Sequence, residues 1–191
     1  MDNFYKEGRG FLEAEDFESA ISLFKKGAEE GDPKCVYGLI ATAATKGEDP
    51  SDYFQALQTA LPKLQKLADG GDGEACFMLG RCLESGAGTA PDIDLALEHY
   101  KKAANVGNTD AMFNLGCFYI HTCMSEDEVF TKYFLPSAAL GNKNACLAVA
   151  FRYENMGLLT DADYWYTRAV ANGAPSAIHA REEYFKRKNK T

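Results

Sequence analysis

The side chains that most often carry chemistry in proteins are scattered along this chain rather than grouped. The histidines His99, His121 and His179 lie far apart and match no metal-ligand or catalytic-triad spacing. Two Gly-x-Gly steps, at 8–10 and 86–88, resemble the start of a phosphate-binding loop, but neither continues into the full fingerprint. The carboxylate clusters are typical of solvated helix faces. These patterns predict a protein that is not an enzyme and that has no metal site and no cofactor.

Six cysteines raise the question of disulfides, but none of them forms a Cys-x-x-Cys pair: Cys35, Cys76, Cys82, Cys117, Cys123 and Cys146. Residues 1–7 lack the basic start and apolar core of a secretory signal. No apolar run approaches the roughly 20 residues that a membrane-spanning helix needs. We therefore expect a cytoplasmic protein with free thiols and no membrane partner.

The net charge of −8 bears on the class of partner. Affinity for nucleic acids comes largely from lysines and arginines that displace counterions from phosphates, and an acidic protein repels the same phosphates. The composition therefore predicts no nucleic-acid partner.

The strongest pattern is a repeat marked by five glycines, which stand 40, 36, 34 and 32 residues apart: Gly31, Gly71, Gly107, Gly141 and Gly173. A glycine after a helix adopts the left-handed cap conformation readily. The next residue is Asp or Asn in four of the five cases, and both types cap a following helix. Spacings of this size indicate stacked helix pairs.

Each of these five glycines forms a joint after a helix pair, and residues at helical spacing precede each joint. Small residues stand eleven positions before four of the glycines, at Ala20, Ala60, Ala96 and Ala162. Large residues stand seven positions before all five, at Phe24, Leu64, Tyr100, Phe134 and Tyr166. This spacing packs one helix against its neighbour. Phe130 replaces the small residue in the fourth joint and predicts a local distortion there.

These features predict an all-α fold, a right-handed α-solenoid of about five antiparallel helix pairs plus a C-terminal helix, in a single repeat domain spanning 1–191. The expected units are approximately 1–32, 33–72, 73–108, 109–142, 143–174 and 175–191. The expected helices are 2–13, 16–30, 33–46, 51–69, 73–85, 92–106, 109–122, 125–140, 143–155, 160–172 and 175–188. Ser51, Thr160 and a Ser125–Glu128 capping box are expected to start three of them. Pro62 predicts a kink or break, and Pro136 also lies inside a predicted helix.

The segment 73–108 resembles a Sel-one-like repeat, a relative of the tetratricopeptide repeat. The resemblance rests on Ala75, Leu79-Gly80, the Gly86-x-Gly88 turn, Asp92, Ala96, Tyr100, Lys102-Ala103-Ala104 and Gly107. The first unit resembles a plain tetratricopeptide motif. The resemblance implies a protein–protein interaction scaffold, or adaptor, that binds a protein or peptide partner in the concave groove of its helix pairs.

The groove positions of these families can be transferred to this sequence. They give Lys34, Tyr37, Glu74, Phe77, Met78, Arg81, Asp110, Phe113, Asn114, Asn144, Phe151 and Glu154 as candidate partner-binding residues. We expect the bound segment to carry apolar side chains and some positive charge, attracted by Glu74, Asp110 and Glu154. Whether the aromatic column of Tyr37, Phe77 and Phe113 belongs to the core or to the groove stays open.

Three other functions also stay open. One is a secreted repeat protein stabilised by disulfides, and another is an enzyme whose active site is hidden in the groove. The third is a purely structural subunit. Thiol titration tests the first, and a pocket with converging polar groups would support the second.

Overall fold

The computed structural model describes residues 3–122, 124–174 and 176–188, and within these residues the secondary structure is helical, with no strand. The helices are α1 (Phe4–Glu13), α2 (Phe17–Glu29), α3 (Pro33–Lys46), α4 (Phe54–Asp69), α5 (Gly73–Ser85), α6 (Ile93–Asn105), α7 (Thr109–Tyr119), α8 (Glu126–Val129), α9 (Leu135–Ala139), α10 (Lys143–Asn155), α11 (Leu159–Ala171) and α12 (Ser176–Lys188). A 3₁₀ turn, Ser51–Tyr53, leads into α4, and a π-helical turn, Phe130–Phe134, joins α8 to α9. The predicted all-α fold of helix pairs is confirmed.

The chain forms two compact units, Met1–Val106 and Gly107–Thr191, called unit 1 and unit 2 below. In unit 1 each helix from α1 to α6 packs against the next, and α3 also contacts both α1 and α5. In unit 2, α7 packs on the π-helical turn and α9, while α10 packs on α9 and α11. Helix α12 packs against α11.

The joints between helix pairs have the predicted geometry. The joint glycines have positive φ values, for example +88° at Gly71, where a residue with a Cβ would be strained. The side chain that follows each of the first four glycines accepts a backbone N–H of the next helix, at Asp32, Asp72, Asn108 and Asn142. These glycines and caps explain why the predicted bounds of α3, α5 and α10 agree with the structure.

The distortion predicted at Phe130 is a π-helical turn that begins at this residue. The Leu135 N–H donates to the Phe130 carbonyl, five residues back, so the turn holds one residue more than an α-helical turn. Val129, and not Phe130, therefore takes the fully buried position that alanines occupy in the other pairs. Phe134 remains buried in the same role as Phe24 and Tyr166.

Four other predictions about helix starts and breaks were confirmed only in part. The predicted Ser125–Glu128 capping box is present. Ser51 begins the 3₁₀ turn rather than α4, and the predicted start at Thr160 is wrong by one residue, since α11 begins at Leu159 without a side-chain cap. Pro62 does not break its helix, because α4 continues from Phe54 to Asp69.

Candidate functional site

Two first helices of unit 1, α1 and α5, are joined by hydrogen bonds between polar side chains. Glu74 on α5 accepts hydrogen bonds from the Tyr5 hydroxyl (2.7 Å) and from Arg9 Nη1 (2.9 Å), both on α1. Burial and the Glu74 charge raise the pKa of Tyr5 far above its usual value. Glu74 therefore already has a cationic partner within its own unit.

The second residue of a first helix contacts the residue that caps the first helix of the next repeat. Lys34 Nζ lies 2.6 Å from Oδ2 of Asp72, the residue that caps α5. Unit 2 repeats this geometry with other residue types, because Asn142 Nδ2 donates to Asp110 Oδ1 at 2.7 Å. Asn142 caps α10, as Asp72 caps α5. Two residues predicted to bind a partner, Lys34 and Asp110, thus also hold successive helix pairs together.

A cleft of about 420 Å³ lies between α3, the segment before α4, and α5. Its walls are formed by Tyr37, Ile40, Ala41, Ala44, Thr45, Pro50, Phe54, Arg81, Cys82, Ser85 and Ala87. Burial raises the pKa of Tyr37 to about 12, and the nearby Arg81 guanidinium opposes this shift. Arg81 Nη1 also lies 2.9 Å from Glu84 Oε2. We call this site the Tyr37–Arg81 cleft.

The remaining candidates of unit 1 differ in exposure. Phe77 is half-buried, and its ring centroid lies 5.9 Å from that of Tyr100. Met78 is 0% exposed, so its side chain belongs to the core and cannot contact a partner. A step of one residue rotates a helical side chain by about 100°, which carries Met78 away from the face of Phe77. We therefore leave Met78 out of the binding surface.

In unit 2 the candidate residues lie on α7 and α10. Phe113 and Asn114 are half-buried, and the Phe113 ring lies 5.6 Å from Phe134. Asn144 is exposed, and Phe151 is 47% exposed, with its ring perpendicular to that of Tyr166. Glu154 accepts a hydrogen bond from the Tyr166 hydroxyl. Phe151 is thus the most exposed apolar candidate of this unit.

The aromatic column is shared between core and surface. Tyr37, Phe77 and Phe113 are each half-buried. Phe77 and Phe113 pack on the large residue of their own second helix, Tyr100 and Phe134. One face of Phe77 and of Phe113 therefore stabilises a helix pair, and the remaining surface of these two rings stays accessible.

Four of the five cysteines that the structure describes are poor nucleophiles. Cys35, Cys76, Cys82 and Cys146 are buried free thiols. Burial raises the pKa of Cys35 and of Cys82 to about 12, so each is almost wholly protonated at neutral pH. Cys123 lies outside the described residues.

Metal chemistry and membrane insertion have no support in the part of the chain that the structure describes. Across 3–122, 124–174 and 176–188, no three His, Cys, Asp or Glu side chains are placed to hold a metal ion. Over the same ranges, no helix is both long enough and apolar enough to cross a bilayer.

Comparisons with known proteins agree with the repeat geometry. A family model for the Sel1 repeat matches residues 3–32, 73–108 and 109–122. The chain is 30% identical over 178 residues to DAP3-binding cell death enhancer 1 of Mus musculus, an alignment that covers 87% of this chain and 32% of the relative. It is also 30% identical over 125 residues to chitin synthase regulatory factor 4 of Schizosaccharomyces pombe, with coverage of 63% and 20%. The chain thus spans about a third or less of the length of these relatives.

The crystal structure of a Sel1 repeat protein from Oxalobacter formigenes superposes with a TM-score of 0.58 at 25% identity, covering 85% of this chain and 65% of the other. The segments that the family model matches contain the joint glycines Gly31 and Gly107 and the caps Asp32 and Asn108. Within them, Gly80 and Gly116 lie directly against the rings of Tyr100 and Phe134. The family model, the similar structure and this packing agree. The chain therefore contains Sel1-like repeats.

Proposed function

We propose that this protein is a non-catalytic scaffold that binds a segment of a partner protein on the first helices of unit 1. The observation that carries the proposal is the Tyr37–Arg81 cleft, which is open to solvent beside a half-buried aromatic ring. An apolar side chain of the partner enters the cleft, and no covalent bond is made or broken. The name of the murine relative states that it binds a protein, which supports this class of function.

The residues that line the cleft favour a partner segment with one apolar side chain in the cleft and its polar backbone beside it. Ile40, Ala41, Ala44 and Phe54 supply apolar walls. An arginine has five N–H donors, and Arg81 uses its Nη1 on Glu84. Its other donors can bind backbone carbonyls of an extended peptide. A buried anchor next to such donors is the usual arrangement of an interaction hot spot.

Charge contributes less to recognition on this face than the sequence suggested. Glu74 is bound by Arg9, and Lys34 is paired with Asp72. A cationic partner residue would therefore compete with contacts that already exist within unit 1. We expect the apolar anchor, more than positive charge, to decide which segment binds here.

The free thiols support a reducing compartment, and we include a cytoplasmic location in the proposal. Disulfides form and persist in oxidising compartments, whereas buried thiols are the usual state of cysteines in the cytosol. Cys35, Cys76, Cys82 and Cys146 are of this buried kind. The net charge of −8 favours a protein partner over a nucleic acid.

Filling the cleft tests the proposal. Ala44 is an exposed residue of α3 that lines the cleft, so Ala44→Trp blocks it without entering the core. Ala56→Trp is the matched control, because Ala56 is also exposed on a helix but lies outside the cleft. Proteins captured from the native host by wild type and by both variants are compared by quantitative mass spectrometry.

We expect a partner that wild type and Ala56→Trp retain and that Ala44→Trp loses. With that purified partner, calorimetry should give an at least tenfold weaker Kd for Ala44→Trp, about 1.4 kcal/mol. Equal binding by both variants would place the partner on another surface and end the proposal for this cleft.

A further inference from the structure

A second pocket of unit 1, of about 570 Å³, lies between the start of α3 and the end of α4. Its lining combines two lysines with apolar residues, one glycine and one acid: Pro33, Lys63, Lys66, Leu67, Gly70 and Asp72. None of these residues lines the Tyr37–Arg81 cleft, so the two sites are separate. We call this site the Lys63–Lys66 pocket.

Two lysines on one face of α4 give this pocket its charge. Lys63 and Lys66 are three residues apart, so they lie side by side on the helix, and both are exposed. Lys63 Nζ lies 3.3 Å from the carbonyl oxygen of Gly31, to which it donates, and this contact holds it at the joint. Neither lysine forms an ion pair with a carboxylate of the described residues. The pocket therefore has two positive charges that no acid of the described residues neutralises by contact.

The acid in the lining, Asp72, is engaged elsewhere. Its Oδ2 atom lies 2.6 Å from Lys34 Nζ, and its Oδ1 atom accepts the backbone N–H of Ala75 at 2.9 Å. Glu30 and Asp32 belong to the same joint but lie outside the lining. A carboxylate that a ligand brings into the pocket therefore meets two ammonium groups whose donors are not used on another carboxylate.

The remaining lining adds an apolar surface. Leu67 follows the two lysines on α4 and is 37% exposed, and Pro33 is the first residue of α3. A small inorganic anion gains nothing from this surface. An apolar side chain next to a carboxylate does gain, because the contact removes apolar area from water. The lining thus favours an acidic residue with an apolar neighbour.

We propose that the Lys63–Lys66 pocket binds an acidic segment of a protein, in which carboxylates pair with the two lysines and an apolar side chain covers Leu67. Hydrogen bonds from an ammonium to a carboxylate are charge-assisted and stronger than neutral ones. At physiological ionic strength charges beyond about 8 Å are largely screened, so the two adjacent lysines outweigh the net charge of −8 that is spread over the chain. This proposal is independent of the Tyr37–Arg81 cleft.

The test measures binding of short peptides to the full chain by NMR, with the backbone amide resonances of Leu67 and Gly70 as reporters. The probe is acetyl-Asp-Leu-Asp-amide. Acetyl-Asn-Leu-Asn-amide lacks only its charge, acetyl-Asp-Gly-Asp-amide lacks only its apolar side chain, and inorganic phosphate is an anion without either peptide feature. We expect the probe to bind in a saturable way, at least about fivefold more tightly than each of the other three. Its affinity should fall as the salt concentration rises.

Paired substitutions locate the site. Lys63→Gln together with Lys66→Gln removes both charges at exposed positions, so the probe should bind no better than acetyl-Asn-Leu-Asn-amide. Lys101→Gln together with Lys102→Gln is the matched control, because it changes the net charge equally at exposed positions of α6 outside the lining. The control should bind the probe as wild type does. Equal losses in the two double variants would show that only the overall charge matters and would overturn the proposal.

The apolar contact has its own variant. Leu67→Ser should lower the affinity for acetyl-Asp-Leu-Asp-amide to that for acetyl-Asp-Gly-Asp-amide, because it removes the surface that the leucine covers. Phosphate that binds as tightly as the probe would make a free anion the occupant and overturn the proposal. Equal affinity of wild type for the charged and uncharged peptides, or no saturable shift with the probe, would overturn it too.

Discussion

The hydroxyl of Tyr100 on α6 donates a 2.7 Å hydrogen bond to Oε2 of Glu84, near the end of α5. The same carboxylate oxygen lies 2.9 Å from Arg81, so a core residue is connected through Glu84 to the Tyr37–Arg81 cleft. Unit 2 repeats the relationship, since Tyr166 on α11 donates to Glu154 on α10. One tyrosine thus contributes its ring to the core and its hydroxyl to the surface.

Removing the Tyr100 hydroxyl should lower the free energy of unfolding of unit 1 modestly. Tyr100→Phe deletes the bond to Glu84 while keeping the buried ring, and we expect a loss of about 1 kcal/mol, because the carboxylate is partly exposed. Chemical denaturation measures the difference. Tyr53→Phe is the control, since the Tyr53 hydroxyl makes no hydrogen bond to another described residue and should change stability by less than half as much. Equal losses for the two variants would contradict this role for the Tyr100 hydroxyl.

Glycine 80 should not tolerate even a methyl group. A Cβ added there would lie 2.5 Å from Cε1 of Tyr100, a distance that forces the ring or the helix to move. We expect Gly80→Ala to destabilise the protein by about 1–3 kcal/mol despite the better helix propensity of alanine. Gly10→Ala in α1 is the matched control, because nothing lies within 4 Å of its added Cβ.

The control should be neutral or stabilising by up to about 1 kcal/mol, since alanine favours an exposed helix position over glycine. Thermal denaturation of both variants separates the two effects. A neutral Gly80→Ala would mean that Tyr100 can leave its position at low cost.

Helix starts and joints could be predicted from the sequence because local chemistry decides them. Asp72 and Asn142 cap helices whose bounds were predicted correctly. Thr160 misled the prediction because α11 starts without a side-chain cap. The prediction for Met78 was wrong because Met78 lies one residue, or about 100° of helix rotation, beyond the half-buried Phe77, and its side chain therefore faces the core. The contact of Lys34 with Asp72 spans 38 residues, and no local signal marks such a pair before the repeats are stacked.

The thiols should react slowly in the folded protein. A pKa of about 12 leaves Cys35 and Cys82 with far less thiolate at pH 8 than an ordinary thiol has, and both are buried. A thiol reagent should therefore label them much more slowly than an unfolded control. Mass spectrometry of tryptic peptides identifies the labelled sites.

In denaturant without reductant, we expect all six cysteines of the sequence to titrate as thiols. A lower count would reveal a disulfide and revive the secreted alternative. Full reactivity of Cys82 in the native state would instead show that unit 1 opens readily.

Acid should destabilise the protein partly through His99. Burial lowers the pKa of His99 below its ordinary 6.5, with Lys102 adding to the effect and Asp69 and Glu98 opposing it. Below pH 6.5 the unfolded chain binds a proton that folded His99 resists, so the free energy of unfolding falls as the pH falls towards the folded pKa. Denaturation curves between pH 7.5 and 5 measure this slope.

His99→Phe removes the titrating group, and its stability should depend less steeply on pH over the same range. His121→Phe is the control, because it makes the same replacement at an exposed position. Parallel curves for wild type and both variants would show that His99 does not contribute to acid sensitivity.

The π-helical turn Phe130–Phe134 has a consequence for how the gene can change. A three-nucleotide insertion adds one residue, and in an ordinary helix that residue rotates every later side chain by about 100°. Here the wider turn takes up the extra residue, so Val129 and Phe134 both stay buried on either side of it. The gene segment that encodes such a helix pair can thus gain one codon while the helices keep their packing. Neighbouring repeats encoded in one gene can therefore change in length independently of one another.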